Sequence, residues 1–388
     1  MMFTTALSAF FLVAPVMGAP TLVPITKRAG PVKPDSFIVT FKDVIAKKNF
    51  LGLGSRFDHS GSTIVYDYDV IPAIAVNLMS VQDINIVRQH SGVESIEHNG
   101  IVSIEYEAGL DGLDFESPHR SSNRPRPSSL GKRNAGDTSV VGYSIDTGVF
   151  CGHDELKGHC TPGATFLSGT TSPSNEDENG HGTHTSCIIA GKSFGQAPGV
   201  EIVSVRVLDA SGSGSNADVV KGIDWVVAQQ VGNKAKVMNL SLGTLILLGY
   251  PVGQAAKNAI AKGIHVVVAA GNNGAPTLTS SPANVPEAIT VGAIDSSNQR
   301  ASFSNFGVLI DVWAPGVSIL SCWIGGPSAT EVLSGTSMAA PYVAGILAVE
   351  IEKYGNKSPE DLSNDLKANA KPDVQGQIVG TNLRAQKW

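Results

Sequence analysis

From Val140 onward, short runs rich in Val and Ile recur with no polar alternation. They are Val140–Ile145, Glu201–Leu208, Lys236–Leu240, His265–Ala269 and Ala288–Val291. A strand with one wet face alternates; a strand covered on both faces reads as a continuous apolar run. Helix-spaced segments lie between them. Asn216–Val231 places Val219, Val220, Ile223, Val227 and Val231 at helical intervals, and Gly253–Lys262 is rich in Ala. The pattern predicts an α/β fold, a largely parallel doubly wound sheet with helices on both faces. Such sheets place their sites beyond the C-terminal strand ends. Here those ends read Asp146-Thr147-Gly148, Ser241-Leu242-Gly243 and Ala270-Gly271-Asn272-Asn273.

The first hundred residues read differently. Ala6–Met17 is a short apolar run ending in Gly18-Ala19-Pro20, which fits a signal peptide over 1–19 and secretion, although no Lys or Arg precedes it. The run is too short to span a bilayer. A spacer follows over 20–35. Strands are then expected at Ser36–Phe41, Val65–Tyr68, Ala73–Leu78, Val93–Glu97 and Ile101–Glu105. A helix is expected over Val81–Ser91, with Ile84, Ile86 and Val87 inward. That is a small α+β module over 36–108. Residues 109–139, rich in Ser, Arg, Pro and Gly, have linker composition before the larger domain at 140–388. A formal net charge of -6 argues against nucleic acid as a partner. The four cysteines allow three pairings. Cys151 and Cys160 are close enough for a local bridge, whereas Cys187 and Cys322 also read as buried thiols.

Three segments carry chemistry. Gly335-Thr336-Ser337 runs straight into an apolar helix, MAAPYVAGILAVEIEKY, with Met338, Tyr342, Ile346 and Val349 on one face. Pro341 is expected within the first turn, where a missing N–H costs little. Ser337 therefore sits at a helix start, where unpaired N–H groups favour an anion. His181, flanked by Gly180 and Gly182, opens a second apolar helix, and Asp146 ends a strand. Serine is a weak nucleophile without a base. Imidazole can take its proton, and a carboxylate can orient the imidazole. Taken singly, each residue reads as a helix cap, a loop histidine or a strand-end turn. Their order, Asp146–His181–Ser337, is that of subtilisin, and no Gly-x-Ser-x-Gly elbow of a lipase or esterase is present. The pair His181/His184 lacks the glutamate of a zinc peptidase motif, and His184 reads as structural.

Taken together, DTGV, GHGTHT, SLG, AAGNN and GTSMAAP, in this order, resemble the subtilisin-like serine peptidases of the secreted fungal proteinase K branch. The N-terminal module resembles their inhibitory propeptide. The resemblance covers about Ser36 to Ala370. It implies a secreted serine endopeptidase, made as a self-processing zymogen, with Ser337 as nucleophile, His181 as general base and acid, and Asp146 as the orienting carboxylate. It implies Asn272 as an oxyanion donor. Gly212-Ser213-Gly214 and Ser241-Leu242-Gly243 become two edges that pair with an extended peptide. It also implies broad specificity with an apolar or aromatic residue before the cut. No cofactor is required for such chemistry. A structural calcium ion is implied at the carbonyls of Pro286 and Ala288 and the carboxylate of Asp311, a thin signal beside the plain reading of a surface Asp. The expected partners are protein and peptide substrates and the chain's own propeptide, acting as an intramolecular inhibitor. Neither nucleic acid nor membrane is expected, and the molecule is expected to be a monomer.

Several positions depart from that pattern. Val141 and Ile289 stand where the branch carries cysteines, Tyr342 replaces a histidine, and Cys187 is not at the usual place after the HGTH segment. These departures keep a second reading open, a catalytically drifted binding or inhibitory protein. Self-cleavage is expected within Tyr106–Leu110, with Lys132-Arg133 as a dibasic alternative. Asn356-Lys357-Ser358 is a glycosylation sequon on an expected exposed turn.

Overall fold

The computed structural model describes residues 22–26, 30–52, 61–104, 107–108, 139–168, 174–245, 251–376 and 379–388; at 107–108 and 244–245 it describes the backbone. The expected signal peptide and the Lys132-Arg133 site lie outside the described residues.

The N-terminal module contains β1 (Ile25–Thr26), β2 (Val32–Phe41), α1 (Val44–Leu51), β3 (Thr63–Asp67), β4 (Ala73–Asn77), α2 (Val81–Gln89) and β5 (Val93–Ser103). Its strands lie in the order β1-β5-β2-β4-β3. Phe37, Val39 and Phe41 from β2, Ile74 and Val76 from β4, and Val87 from α2 share one apolar core. Both helices start at side-chain caps: Asp43 accepts from the Ala46 N–H at 2.7 Å, and Ser80 accepts from the Asp83 N–H at 3.1 Å. Two expectations are corrected. Part of the expected spacer over 20–35 belongs to the sheet as β1 and the start of β2. The two strands expected at 93–97 and 101–105 are one strand, because Asn99 does not turn the chain. Its side chain instead donates to Ser36 Oγ at 3.1 Å and accepts from the Ala217 N–H at 3.0 Å.

After β6 (Glu107–Ala108) come β7 (Val140–Asp146), β8 (Cys160–Thr165), α3 (His181–Ala190), β9 (Glu201–Arg206), β10 (Ser213–Ser215), α4 (Asn216–Ala228) and β11 (Ala235–Leu240). Then follow β12 (Thr244–Leu245), α5 (Pro251–Ala261), β13 (His265–Ala269), β14 (Ser280–Ser281), β15 (Ile289–Ile294), β16 (Val312–Pro315), β17 (Ile319–Cys322), β18 (Thr330–Ser334), α6 (Thr336–Tyr354) and α7 (Pro359–Asn369). The seven-stranded sheet runs β16-β15-β13-β11-β7-β9-β8, and every pair in it is parallel. Successive residues serve opposite faces, as the pleat requires. In β13, Val266 and Val268 join the cluster under α4 and α5, while Val267 and Ala269 join the cluster under α3 and α6. This is the predicted doubly wound sheet.

The N-terminal module docks on the α4/α5 face. Tyr68, Val70 and Ile71 enter the same apolar cluster as Val219, Ile223 and Ala255. Tyr66 donates its hydroxyl to Asp218 at 3.0 Å, and the N–H groups of Asp69 and Val70 donate to Asp224 Oδ1 at 2.9 and 2.7 Å. The Tyr66 hydroxyl loses its proton less readily than a free phenol, because burial and then Asp218 disfavour the anion.

Candidate active site

Asp146 ends β7 and is fully buried. Its Oδ1 accepts from the Thr147 N–H at 2.7 Å and from His181 Nδ1 at 2.7 Å. His181 is the first residue of α3, also fully buried. Glycine at 182 permits this approach, since a Cβ there would lie 2.0 Å from the Gly148 carbonyl oxygen. Sequence reasoning missed the residue that fixes the start of α3. Asp177 accepts from the Gly180 N–H at 2.8 Å, the Thr183 N–H at 2.9 Å, and the hydroxyls of Thr147 and Thr183 at 2.8 and 2.6 Å. A carboxylate there satisfies orphan N–H groups and meets the positive end of the helix. Its position before Asn-Gly-His was the only available signal, and it resembles any polar loop residue.

Ser337 opens α6, one residue inside it. Ser337 Oγ donates to the Ser241 carbonyl at 3.2 Å, and Ser241 Oγ donates to the Ser337 carbonyl at 2.9 Å. The second bond has a covalent cause. Pro341 lies five residues past Thr336, beyond the expected first turn, and has no N–H for the carbonyl four residues back. That carbonyl belongs to Ser337, and Ser241 supplies the missing donor. β11 lies beside β7 in parallel with Ser144 opposite Asn239, so two residues on the register carries Asp146 to Ser241. Adjacent strands are about 4.8 Å apart. The Asp146–His181 pair and the Ser241–Ser337 pair therefore stand on neighbouring strand ends. In this conformation the Ser337 hydroxyl is turned toward the Ser241 carbonyl. Hydrogen bonds between a nucleophile and its base commonly form only with substrate bound.

Asn272 accepts through Oδ1 from the Thr336 N–H at 2.8 Å and the Thr336 hydroxyl at 2.9 Å. This fixes its amide end to end, with Nδ2 the end that Thr336 does not use. Asn272 and Ser337 line one cleft with Ser241, Leu242, Gly243, Ala269, Ala270, Gly271, Ser280, Ser281 and Ala283; among the described residues none that lines it is charged. The chain's own β5 enters this cleft. β5 pairs antiparallel with β10, Ser103 opposite Ser213 and Val102 opposite Gly214. Ser103 also bridges Gly243, lines the cleft, and is followed by Ile104, whose N–H donates to the Gly212 carbonyl at 3.0 Å. On the far side, Glu107 pairs with Ser334, three residues before Ser337. Both expected peptide edges thus carry main-chain pairing.

His184 supports the site as a neutral ring. Its Nε2 meets the carbonyls of Ile319 and Glu331 at 3.1 and 3.2 Å. Burial, then the neighbouring His181, pull its pKa down to about 3. The unfolded chain, at the ordinary 6.5, takes up that proton first as pH falls. The ring's contribution to stability is therefore whole above about pH 6.5 and is lost as pH falls toward 3. Buried His159 and His265 shift the same way. The urea midpoint is expected to fall on acidification from pH 7 to 4, and less steeply in His184→Gln. Equal slopes would remove His184 from this role.

Two further expectations meet the structure here. Cys151–Cys160 is the local disulfide; Cys187 and Cys322 are bonded to each other and are not free thiols. The residues at the implied calcium site do not fit the ion as placed. Asp311 Oδ2 accepts from the Thr290 N–H at 2.9 Å, and Oδ1 lies 3.2 Å from Lys367 Nζ. An ammonium stands against the single carboxylate that a cation would need beside the Pro286 and Ala288 carbonyls.

The subtilase family profile matches residues 136–385. Subtilisin-like protease 3 of Pseudogymnoascus destructans is 37% identical over 369 residues, 88% of this chain and 87% of that protein. The cuticle-degrading serine protease of Arthrobotrys oligospora is 40% identical over 296 residues, 75% of this chain and 70% of its own length. An extracellular serine proteinase of a Thermus species is 43% identical over 235 residues; the match spans 61% of this chain and 56% of that relative. The crystal structure of a cold adapted subtilisin-like serine proteinase superposes with a TM-score of 0.60 at 39% identity, over 63% of this chain and 88% of that one.

Proposed function

The chain belongs to the subtilase family and is a serine endopeptidase by that membership; from that premise we propose that it is secreted as a precursor which cuts itself and then hydrolyses protein substrates through Asp146, His181 and Ser337. The observation that carries the reading is the bond between His181 Nδ1 and buried Asp146, set on the strand end beside the one that holds Ser337. Asp146 keeps the imidazole proton on Nδ1, leaving Nε2 to act as base. As Ser337 Oγ attacks the peptide carbonyl, its proton passes to His181 Nε2. The negative oxygen formed is held by Asn272 Nδ2–H and the Ser337 N–H. The C–N bond then breaks, and the amine leaves with the proton from His181. Water repeats the sequence on the acyl-enzyme. The two edges at Gly212–Gly214 and Ser241–Gly243 read substrate through its backbone, which supports broad specificity. The cleft wall, which among the described residues holds no charge, supports a neutral, apolar residue before the cut. The names of the extracellular and cuticle-degrading relatives support secretion, and no helix among the described residues is long and apolar enough to cross a membrane.

β5 occupies the peptide position between those edges, which supports residues up to 104 as an intramolecular inhibitor. The register also supports a cleavage bond. Ser103 bridges Gly243, two residues from Ser241, whose carbonyl is the partner of Ser337 Oγ, so the chain reaches the nucleophile's edge just before 105. Positions 105 and 106 themselves lie outside the described residues. We place the cut at the Glu105–Tyr106 bond, one bond before the Tyr106–Leu110 window expected from the sequence, with Tyr106 as the new N-terminus. An acidic residue before the cut does not conflict with an uncharged pocket. A tethered segment is cut once, at an effective concentration that replaces pocket affinity.

The test is a serine-reactive phosphonate on the processed protein, with N-terminal sequencing. Labelling at Ser337 and a sequence beginning at Tyr106 are expected. A processed chain that takes no label would favour the drifted, non-catalytic protein. A sequence beginning at Asn134 would reassign maturation to another protease cutting after Lys132-Arg133.

A further inference from the structure

We propose that the Cys187–Cys322 disulfide and the Trp323 indole clamp the helix bearing His181 to the hairpin that leads into Ser337, and that they are positioning residues for the reaction. The inference rests on the triad reading above. α3 carries His181 at its first position and Cys187 six residues on, about 9 Å along the axis. The β17–β18 hairpin ends at Ser334, three residues before Ser337. The disulfide joins these two pieces covalently across 135 residues of sequence, and both cysteines are fully buried.

Three further ties act at the same junction. Ser321, beside Cys322, donates its hydroxyl to the His184 carbonyl at 2.9 Å. The His184 ring reaches a carbonyl on each strand of the hairpin, Ile319 and Glu331. Trp323 lies over Gly180, the residue before His181: a Cβ there would fall 2.6 Å from the indole carbons. Gly180 also has φ 110°, so only glycine fits both the ring and the backbone. The His184 and Trp323 rings meet edge to face, with centroids 6.2 Å apart. A disulfide anywhere between these segments would shorten the unfolded loop. This one also meets the two segments that carry the base and the nucleophile, with the adjacent indole against the backbone that aims the imidazole. If α3 slides against the hairpin, His181 Nε2 moves relative to Ser337 Oγ, and displacements near 1 Å cost about 100-fold in rate.

The test compares processed wild type with Cys187→Ala/Cys322→Ala, with Trp323→Leu, and with Cys151→Ala/Cys160→Ala as the control for losing the other disulfide, which packs against the same apolar cluster but does not bridge α3 to the hairpin. Active sites are titrated with the phosphonate, and kcat and KM are measured per titrated site, alongside thermal midpoints. A merely structural role lowers the titratable fraction and leaves each surviving site as fast as before. The clamp predicts that kcat per titrated site falls about 10- to 100-fold in the first two variants, with KM within about twofold. The control is expected to keep wild-type kcat. Trp323→Leu keeps the disulfide, so it decides the matter alone if the double cysteine variant does not fold. Wild-type kcat per site in the folded variants overturns the clamp. Failure of wild type itself to label at Ser337 overturns the triad reading, and the clamp with it.

Discussion

Ser337→Ala is expected to leave the chain at its full precursor size and to lower peptide hydrolysis about a millionfold, the scale of nucleophile loss in subtilisin. The size of the effect follows from what one oxygen does. In the proposed mechanism Ser337 Oγ is the atom that forms the acyl bond, and among the described residues the cleft offers no charged side chain to replace it. The substitution removes little else. Alanine is a good helix residue near the start of α6. The Ser241 hydroxyl keeps its bond to the backbone carbonyl of residue 337, so the carbonyl freed by Pro341 stays satisfied. Only the 3.2 Å bond to the Ser241 carbonyl is lost. Stability should therefore change by about 1 kcal/mol or less, read as a urea midpoint close to that of a wild-type precursor blocked with phosphonate. Since β5 and β6 pair on opposite sides of Ser337, the uncut chain should keep its N-terminal module docked. Appearance of a Tyr106 N-terminus in the purified variant, without added protease, would show that another group cuts the chain.

The sequence made the sheet and the strand-end site legible for one reason: burial on both faces leaves continuous Val and Ile runs, and the runs end where polar residues and glycines begin. β7, β11 and β13 have nearly the bounds those runs suggest. What was not legible depends on contacts between distant residues. β8 (CTPGAT) holds Pro162 and Gly163, reads as a loop, and is a strand because β9 pairs with it around an irregularity at that spot. β5 passes straight through Asn99-Gly100, a turn signal by composition, because Ser36 and Ala217 take the asparagine's hydrogen bonds. α6 was read as one apolar face, yet Thr336 to Pro341 are all buried, because the helix runs through the interior, where a face is not selected. At the site, Asp146, His181, Asn272 and Ser337 are legible through their motifs. Asp177 is not, because its role exists only once five hydrogen atoms have been brought to it. The pairing of Cys187 with Cys322 fails for the same reason, being set by how α3 crosses the hairpin.

Asn272→Asp is expected to lower kcat about 100- to 1,000-fold, about 3 to 4 kcal/mol of barrier, with KM within about twofold. The choice of aspartate separates two roles of this side chain. Oδ1 of Asn272 holds the start of α6 by accepting from the Thr336 N–H and hydroxyl. Aspartate keeps that oxygen, so the nucleophile's helix stays where it is. The other end changes from a donor to an oxygen. A group that would have given a hydrogen bond to the developing oxyanion now presents charge of the same sign, in a cleft with no lining cation among the described residues to offset it. Ground-state substrate is neutral at that carbonyl and is held mainly by the two backbone edges, so its binding changes little. A loss confined to the transition state lowers kcat and kcat/KM together. Asn272→Ala removes both ends and should add a stability loss of about 1 to 3 kcal/mol, because the buried Thr336 donors lose their acceptor. If the aspartate variant keeps wild-type kcat, the oxyanion is held by backbone N–H groups alone, and Asn272 serves only to fix Thr336.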